Sequence, residues 1–284
     1  MSDLAAAYAR CERIAREHYE NFPVASLLMP PSIRPHVAAV YAFARAADDF
    51  ADEGSHSADR RIELLEGWSA RLRAVAAARA PQAPGRDEPP AAIEIFQALG
   101  NTIAEKSLPV SLFEDLLSAF RQDVIVCRYA TWTDVLDYCR RSANPVGRLV
   151  LRIAGYRDDR MDVWSDAICT ALQLTNFWQD LSIDTRRGRF YLPADMGLAD
   201  AVDRTRRLFE AGRPLCDAVS GRLRYELRAV WLGGTRILDR LRAADYDPWA
   251  RRPTLTARDA PSLAWRFCTW RPSSPMQRRT PAAR

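Results

Sequence analysis

The chain has 284 residues, of which 48% are hydrophobic and 27% are charged, and its net charge is +5. This composition is typical of a globular protein, and the length is sufficient for one large hydrophobic core. Nearly all of the positive charge is arginine, because Lys106 is the single lysine. Zinc-finger spacing and aromatic-basic RNA-binding signatures are both absent from the sequence, which argues against a nucleic-acid partner.

The cysteines and the N-terminus bear on the cellular compartment. The six cysteines are scattered singly, without a CxxC pair, and lie mostly inside apolar helical patterns. This pattern predicts buried, reduced thiols in a cytoplasmic protein. The N-terminus carries Asp3 and lacks a basic region followed by an apolar stretch, so we expect no secretory signal. No window approaches the roughly 18 apolar residues that a spanning helix needs. We therefore expect a cytoplasmic protein or one lying peripherally on the inner face of the cytoplasmic membrane.

Helical periodicity covers nearly the whole chain, and strand signals are almost absent. In chain order, the pattern predicts helices at about residues 3–20, 32–53, 58–78, 91–107, 109–127, 133–155, 160–184, 199–212 and 214–243. Pro35 marks the start of the second helix, and Thr131 with Asp134 resembles a capping box. Asn144-Pro145 is expected to kink or break the helix that contains it.

The predicted fold class is all-α, with one helical domain at residues 1–246 whose helices wrap around one centre. The tail at residues 247–284 is rich in Pro and Arg, and we expect its end, from Arg271, to be disordered. It contains a short apolar stretch, Leu263–Trp270, flanked by arginines. This stretch predicts either contact with a membrane surface or packing against the domain.

Two pairs of aspartates lie inside apolar helical segments. In the first segment, Tyr41, Arg45, Asp48 and Asp52 are spaced by four, three and four residues. This spacing places the four side chains within about 40° of one another on a helix. The rest of that segment is Ala, Val, Phe and Tyr, which leaves little other surface for water.

The second segment repeats this arrangement, since Gln173, Phe177, Asp180 and Asp184 share a stripe and Asn176 lies about 60° from it. One such pair is commonly a solvated helix face. However, like charges four residues apart destabilise an isolated helix, and unpaired buried carboxylates are costly. Two pairs inside apolar helices therefore favour a functional site.

A bound cation removes both of these costs. Oxygen ligands without neighbouring His or Cys indicate a hard ion, and magnesium takes one or two carboxylates, keeps waters and binds phosphate oxygens. The sequence therefore predicts two aspartate helices that face each other across a cavity, with Mg²⁺ between them and a diphosphate. Arg45 and the arginines after the second motif (Arg186, Arg187 and Arg189) are either surface charges or a phosphate clamp.

Such a site ionises an allylic or cyclopropylcarbinyl diphosphate. The metal stabilises the leaving diphosphate, while an apolar, aromatic pocket shields the carbocation and limits water. The sequence lacks a Gly-rich phosphate loop, a GxSxG motif and an HExxH motif. Its three histidines are too dispersed to suggest a zinc site.

These motifs resemble those of the squalene/phytoene synthase family over nearly the whole chain. Members of the family carry two Asp motifs and a following RGRxYLP signature, which read here Asp48–Glu53, Asn176–Asp184 and Arg187–Pro193. Tyr138–Gly147 looks like the tyrosine-containing helix of the family, although Asn144-Pro145 departs from the usual Ala-Gly-x-Val-Gly. The resemblance implies the class I terpenoid synthase (isoprenoid synthase) fold, a single-domain helical bundle around a central cavity.

A short N-terminal segment, Glu20–Ser26, reads ENFPVAS. Condensing members of the family usually have a Ser-rich segment ending in Phe-Tyr at this point, whereas ENFPVAS resembles the hydroxysqualene-forming branch of bacterial hopanoid biosynthesis. The resemblance implies ionisation and rearrangement of presqualene diphosphate and capture by water, giving hydroxysqualene and diphosphate without NADPH. It also implies two pathway partners, a presqualene diphosphate synthase and a flavin-dependent reductase.

The resemblance further implies three groups of site residues. The magnesium ligands would be Asp48, Asp52, Asp180 and Asp184. The substrate-binding residues would be Arg45, Gln173, Asn176, Arg187 and Arg189, with Asn21, Phe22 and Ser26 from the N-terminal segment. The reacting centre would be lined by Tyr41, Tyr138 and Tyr191.

The stretch between Pro193 and Pro214 looks shorter than is usual in the family, which predicts a trimmed helix over the cavity. Two alternatives to the hydroxysqualene-forming activity stay open. One is a head-to-head synthase that condenses two farnesyl diphosphates and uses the same aspartates. The other is a non-catalytic scaffold relative, for which we would expect eroded aspartates, whereas all four are intact.

Overall fold

The computed structural model describes residues 3–17, 29–249 and 252–273. Their α-helices, in chain order, are α1 Asp3–Glu17, α2 Arg34–Asp52, α3 Ala58–Ala76, α4 Ala92–Lys106, α5 Val110–Ile125, α6 Trp132–Ser142, α7 Asn144–Ile153, α8 Asp159–Arg186, α9 Leu198–Gly212, α10 Leu215–Ala218, α11 Gly221–Ala243 and α12 Ala260–Cys268. No strand forms in these three ranges, where an isolated bridge joins Arg128 to Phe190. The predicted all-α class is confirmed.

Several helix boundaries lie where the local sequence signals predict them. Helix α2 has Pro35 in its first turn, where the missing N–H costs no helical hydrogen bond. The capping box before α6 is present, because the Thr131 hydroxyl accepts from the Asp134 N–H at 3.2 Å and the Asp134 carboxylate accepts from the Thr131 N–H at 2.9 Å. The predicted break at Asn144-Pro145 is also confirmed, since α6 ends and α7 begins there.

The predicted continuous helix at residues 214–243 is wrong. Helix α10 ends before Val219, and α11 begins only at Gly221. Gly221 has a φ of +61°, a left-handed conformation that glycine adopts without the penalty other residues incur. The Arg224 guanidinium donates to the Val219 carbonyl at 2.8 Å, so a side chain from α11 satisfies the interrupted backbone.

The helices form two compact units. Unit 1 contains the described residues of Met1–Pro23, of Pro30–Val126 and of Arg148–Tyr156. Unit 2 contains Met29, Cys127–Gly147 and the described residues from Arg157 onward. The first aspartate pair belongs to unit 1 and the second to unit 2.

Unit 1 is built around a cluster of aromatic rings. Phe43 of α2 stacks on Trp68 of α3 with ring centroids 6.0 Å apart, and it meets Phe96 of α4 and Phe113 of α5 edge-on. The Trp68 indole N–H donates to the Phe43 carbonyl at 3.2 Å, so its one polar atom is satisfied inside the core. The inner side of α2 is therefore fixed, and this determines which side of the helix remains for its charged residues.

Unit 2 is built around the long helix α8, which packs against α9. Trp178 of α8 is fully buried, and its indole N–H donates to the Thr205 hydroxyl of α9 at 2.8 Å. Helix α9 is 15 residues long and lies in the stretch for which the sequence predicts a trimmed helix. That trimming stays a prediction.

The described part of the tail, Arg252–Ser273, also packs in unit 2. Asp259 is buried and accepts hydrogen bonds from Arg236 and Arg240 of α11 at 2.8 and 2.6 Å. Further along, the Trp270 indole N–H donates to the Asp217 carboxylate at 2.9 Å. The predicted apolar stretch forms α12, which is attached at both ends to the body of the unit.

The predicted burial of the cysteines is correct for only some of the thiols, and Cys169 is partly exposed. Cys11 and Cys216 are fully buried, and this burial raises the pKa of each thiol to about 12. Cys139 is buried as well, whereas Cys127 and Cys268 are exposed. Over the described part of the chain, no helix combines the length and the apolar character required to cross a membrane.

Candidate active site

The first aspartate motif lies along the half-exposed stripe of α2. Tyr41, Arg45 and Asp48 are partly exposed and Asp52 is exposed, whereas the adjoining positions, including Phe43 and Ala47, are buried. The stripe continues the side of the helix that faces away from the aromatic core. The carboxylates therefore share one stripe, as their spacing predicts, and this stripe is the accessible side of α2.

Arg45 is held by several carboxylates of the same helix end. Its guanidinium lies 3.4 Å from Asp48 Oδ2, 2.5 Å from Asp49 Oδ1 and 2.7 Å from Glu53 Oε1. Burial alone would lower the pKa of Arg45, but the negative charges of Asp49, Asp48 and Glu53 outweigh it and raise the pKa above its usual value. The sequence placed Arg45 and Asp48 on one stripe, but it did not predict that Arg45 pairs with Asp48, Asp49 and Glu53, although Arg45 to Asp49 is an ordinary i to i+4 pair.

A second arginine fixes the end of this motif from outside the helix. Arg61 of α3 donates to the carbonyls of Phe50 and Ala51 in the last turn of α2. It also donates to the Gly54 carbonyl at 2.9 Å. The last carbonyls of a helix lack partners within the helix, and a positive charge there interacts favourably with the helix dipole. Arg61 therefore caps the end of α2 on both sides of Asp52.

The second aspartate motif lies along the corresponding stripe of α8. Its polar members are all partly exposed, namely Gln173, Asn176, Asp180 and Asp184. Phe177, which the sequence places on the same stripe, is buried instead. The two motifs therefore share one design, in which oxygen-bearing side chains line the accessible side of an otherwise apolar helix.

A tight turn follows the second motif and positions its arginines. The backbone N–H groups of Arg187 and Arg189 both donate to the Asp184 carbonyl, at 3.0 and 2.9 Å. Between them, Gly188 has a φ of +80°, which glycine adopts readily at the end of a helix. Arg187 is exposed and Arg189 is half-buried. Because both backbones bond to the Asp184 carbonyl, the turn holds both predicted substrate-binding arginines close to the second motif.

Four aromatic rings form a buried cluster beside this motif. Phe177 and Tyr191 stack with centroids 3.7 Å apart, and Tyr138 lies 5.9 Å from Phe177 and 6.2 Å from Tyr191. Tyr129 joins the cluster, stacked on Tyr191 at 5.7 Å. The structure thus brings the predicted Tyr138 and Tyr191 together. Tyr129 was missed because it lies in a short connection whose pairing with the segment around Phe190 has no local signal.

A residue of the tail contacts the second motif directly. Arg252 binds the Asp180 carboxylate in a bidentate manner, with Nη2 3.1 Å from Oδ2 and Nε in close contact with Oδ1. Next to it, the Gln179 amide donates to the Pro253 carbonyl at 2.6 Å. These contacts join residues more than 70 positions apart, and neither periodicity nor a motif indicates them.

The remaining predicted site residues are placed as follows. Tyr41 lies one turn before Arg45 on α2, and both are partly exposed. Asn21, Phe22 and Ser26 lie outside the described residues. Within the described ranges, no three His, Cys, Asp or Glu side chains are grouped in a way that could hold a metal ion. Each motif contributes a pair of carboxylates, and magnesium commonly takes only one or two from a protein.

The fold is shared with a solved structure, that of squalene synthase HpnC from Alicyclobacillus acidocaldarius. The two chains are 38% identical with a TM-score of 0.78, and the match covers 88% of this chain and 98% of the other. The helical fold and the two aspartate stripes together define the class, that of an isoprenoid synthase. A family model for squalene/phytoene synthase matches residues 15–199. The chain belongs to the squalene/phytoene synthase family.

Two relatives carry the same name. The hydroxysqualene synthase of Zymomonas mobilis is 39% identical over 208 residues, which are 70% of this chain and 64% of the relative. The hydroxysqualene synthase of Rhodopseudomonas palustris is 35% identical over 253 residues, 80% of each chain. The chain thus spans somewhat less than two thirds of the first relative and four fifths of the second.

Proposed function

We propose that this chain is a hydroxysqualene synthase. In this reaction presqualene diphosphate loses its diphosphate, the carbon skeleton rearranges and water adds, giving hydroxysqualene and diphosphate without a nicotinamide reductant. The observation that carries the proposal is the similarity to two hydroxysqualene synthases over 70% and 80% of this chain. The intact aspartate motifs support it, because ionisation of a diphosphate requires compensation of its negative charge.

We infer that Asp48, Asp52, Asp180 and Asp184 hold magnesium. The donor set fits this ion, since it consists of partly exposed carboxylate oxygens, which hard cations prefer. When bound, magnesium neutralises negative charge that develops on the departing diphosphate. We propose that the ion is magnesium and that the reaction does not need NADPH.

The polar residues around the aspartates are suited to the diphosphate itself. Arg187 and Arg189 lie in the turn that follows Asp184. Arg45 forms an ion pair with Asp48. Guanidinium groups bind phosphate oxygens through paired N–H donors. We assign these arginines, with Gln173 and Asn176, to substrate binding, and we propose the same for Asn21, Phe22 and Ser26 on the resemblance alone.

The aromatic cluster is suited to the hydrocarbon part of the substrate. Tyr138, Tyr191, Tyr129 and Phe177 are all at least nine-tenths buried, so they can exclude water from a reactive intermediate. The faces of aromatic rings attract positive charge, which is the charge a carbocation carries. We propose that Tyr138 and Tyr191, with Tyr41, line the reacting centre.

The test is incubation of the purified chain with presqualene diphosphate and magnesium, without NADPH, followed by mass spectrometry of the lipid product. Formation of hydroxysqualene that stops with EDTA and with Asp180→Ala is the expected result. Turnover of farnesyl diphosphate instead would reassign the chain to the condensing branch of the family. Inactivity of a well-folded sample on both substrates would favour the scaffold alternative.

We also propose that the chain is cytoplasmic and that α12 contacts an anionic membrane surface. Phe267 packs inward on Tyr225 with ring centroids 6.0 Å apart. The opposite side of α12 is apolar and exposed, and it consists of Pro261, Ala264, Trp265 and Cys268. Trp265 is 71% exposed.

The charge of the tail also suits an anionic surface. Among the described tail residues 252–273 the one acidic side chain, Asp259, is buried, while Arg258 and Arg271 are exposed. Exposed Trp beside arginine is typical of helices that lie in a membrane interface.

Co-sedimentation with vesicles of phosphatidylserine and phosphatidylcholine tests this contact. We expect Trp265→Ser to weaken vesicle binding several-fold, because it removes the largest apolar side chain on the outer side of α12. Ile125→Ser is the matched control, since Ile125 is also highly exposed but lies in unit 1. Equal binding of both variants and the wild type would reject the membrane contact.

We also propose two pathway partners on the resemblance to the family. They are a presqualene diphosphate synthase and a flavin-dependent reductase.

A further inference from the structure

The second aspartate motif is occupied by the tail of the chain. Both oxygens of Asp180 are engaged by the Arg252 guanidinium. The adjacent residues make a second contact, from the Gln179 amide to the Pro253 carbonyl at 2.6 Å. Two consecutive residues of the tail are therefore attached to two consecutive residues of α8, through a carboxylate that the proposed function assigns to a metal ion.

Arg252 and a divalent cation would compete for Asp180. A bidentate guanidinium occupies the carboxylate oxygens that a metal ion would need, and its charge repels a dication at contact distance. The influence of Arg252 extends beyond Asp180. Arg252 donates both hydrogen bonds to Asp180, and its guanidinium also interacts electrostatically with the negative charge of Asp184. One arginine thus offsets the charge of Asp180 and attracts that of Asp184.

This contact can be released without detaching the tail. The Arg252 side chain is 41% exposed and that of Asp180 28%, so water and salt weaken their attraction. The neighbouring anchor is of another kind, because Asp259 is 1% exposed and is bound by both Arg236 and Arg240. Buried ion pairs of this sort are costly to break. Arg252 can leave Asp180 while the chain around Asp259 stays in place.

We propose that Arg252 is an internal counter-ion of the second aspartate motif, which a divalent cation must displace. In the metal-free protein Arg252 neutralises Asp180 and holds Arg252–Leu255 against α8. Metal binding at Asp180 releases the guanidinium and loosens this short segment. The inference rests on the proposed function in one respect, that Asp180 is a metal ligand, and it makes Arg252 a positioning residue rather than a catalytic one.

Binding of Mn²⁺ to the full chain, without substrate, tests the proposal by titration with detection of free Mn²⁺ by electron paramagnetic resonance. We expect Arg252→Gln to bind Mn²⁺ about 3- to 10-fold more tightly than the wild type, since a tenfold change corresponds to the loss of a modest competing interaction. Arg258→Gln is the matched control, because it removes the same charge from an exposed position of the same segment. Equal or weaker Mn²⁺ binding by Arg252→Gln would overturn the proposal.

Two further measurements separate this inference from the proposed function. Asp180→Asn should abolish the Mn²⁺ binding that Arg252→Gln enhances, and if it does not, the metal assignment itself fails. Amide hydrogen exchange should rise at Arg252–Leu255 when Mn²⁺ is added to the wild type, while the Thr256 amide, which donates to Asp259, and the amides of α12 keep their protection. Unchanged exchange at Arg252–Leu255, with Mn²⁺ binding that still depends on Asp180, would overturn the displacement alone.

Discussion

The rings of Phe177 and Tyr191 stack in parallel, with centroids 3.7 Å apart and planes inclined by 6°. Phe177 belongs to α8 and lies one turn before Asp180, whereas Tyr191 follows the turn at Gly188. The stack therefore fixes the segment after α8 against the helix that carries the second aspartate motif. A hydrophobic contact thus helps to position the polar residues of the motif and of the turn that follows it.

This stack predicts how substitutions at Tyr191 behave. Tyr191→Ala should destabilise unit 2 by about 3–5 kcal/mol, because it removes a buried aromatic ring and leaves a cavity. Tyr191→Phe retains the ring and should change the free energy of unfolding by less than about 1.5 kcal/mol. Urea denaturation followed by circular dichroism measures both values. Similar destabilisation by the two variants would show that the hydroxyl, rather than the stack, is what matters.

The proposed function predicts a specific role for the aspartates. Asp48→Ala and Asp180→Ala should each lower kcat by at least about 100-fold, as removal of a group that stabilises transition-state charge commonly does. Asp195→Ala is the control, because Asp195 is an exposed carboxylate outside both motifs. Steady-state kinetics with presqualene diphosphate measures the effect. Wild-type turnover by either motif variant would contradict the metal assignment.

The contact of Arg61 with the end of α2 predicts a difference between two adjacent arginines. Arg61→Gln should cost about 1–3 kcal/mol, because several helix carbonyls lose a charged donor. Arg60→Gln should cost no more than about 1 kcal/mol, since Arg60 forms an exposed ion pair with Glu63 and a partly exposed one with Asp87. Thermal unfolding of both variants provides the comparison. If Arg61 also places Asp52, then Arg61→Gln alone should raise KM, and equal KM values for the two variants would exclude that role.

Asp259 predicts a pH dependence of stability. Burial alone would raise its pKa, but hydrogen bonds from Arg240, Thr256 and Arg236 outweigh burial and hold the pKa far below its usual value. A carboxyl group whose pKa is lowered by folding contributes stability above its unfolded pKa, near 4, and this contribution is lost as the pH falls through the folded value. The difference in unfolding free energy between wild type and Asp259→Asn should therefore be constant from pH 7 to about 5 and shrink below about pH 4. A difference that persists undiminished at pH 2.5 would contradict this assignment.

Two adjacent glycines of α11 predict opposite effects on stability. A Cβ at Gly234 would overlap the ring of Phe209, whose Cε1 would lie 3.0 Å away, whereas one at Gly233 would make an ordinary 3.5 Å contact with Leu255. Gly234→Ala should therefore destabilise the protein by about 1–3 kcal/mol through overpacking. Gly233→Ala should be neutral or stabilising by up to about 1 kcal/mol, because alanine favours the helix. The urea concentration at the midpoint of unfolding, compared with that of the wild type, measures both effects. A midpoint that both variants shift in the same direction would show that Phe209 can move aside.

Much of this architecture could be predicted from the sequence because its signals are local. The break before Asn144 follows from a proline that cannot continue a helix, and the start of α6 follows from the capping pair Thr131 and Asp134. The aspartate stripes follow from helical periodicity, which also shows that the rest of each helix is apolar. Such features depend on residues a few positions apart.

Other features could not be predicted because they depend on contacts between distant residues. Nothing near Arg252 indicates that its partner is Asp180, and nothing near Tyr129 indicates that it stacks on Tyr191. The interruption between α10 and α11 was missed because a single glycine inside a helical pattern is usually tolerated. Arg61 likewise looks like an ordinary helix residue in the sequence, and only the folded structure shows that it lies beside the end of α2.

The uneven burial of the cysteines gives the protein a built-in reporter. Thiolate is the form that reacts with maleimides, so Cys11 and Cys216, buried and with a pKa near 12, should react slowly. The exposed thiols are Cys127 and Cys268. In a Cys127→Ser background, a polarity-sensitive fluorophore would be directed mainly to Cys268, beside Trp265 on the outer side of α12. Its emission would distinguish a helix in water from one in lipid without any engineered cysteine.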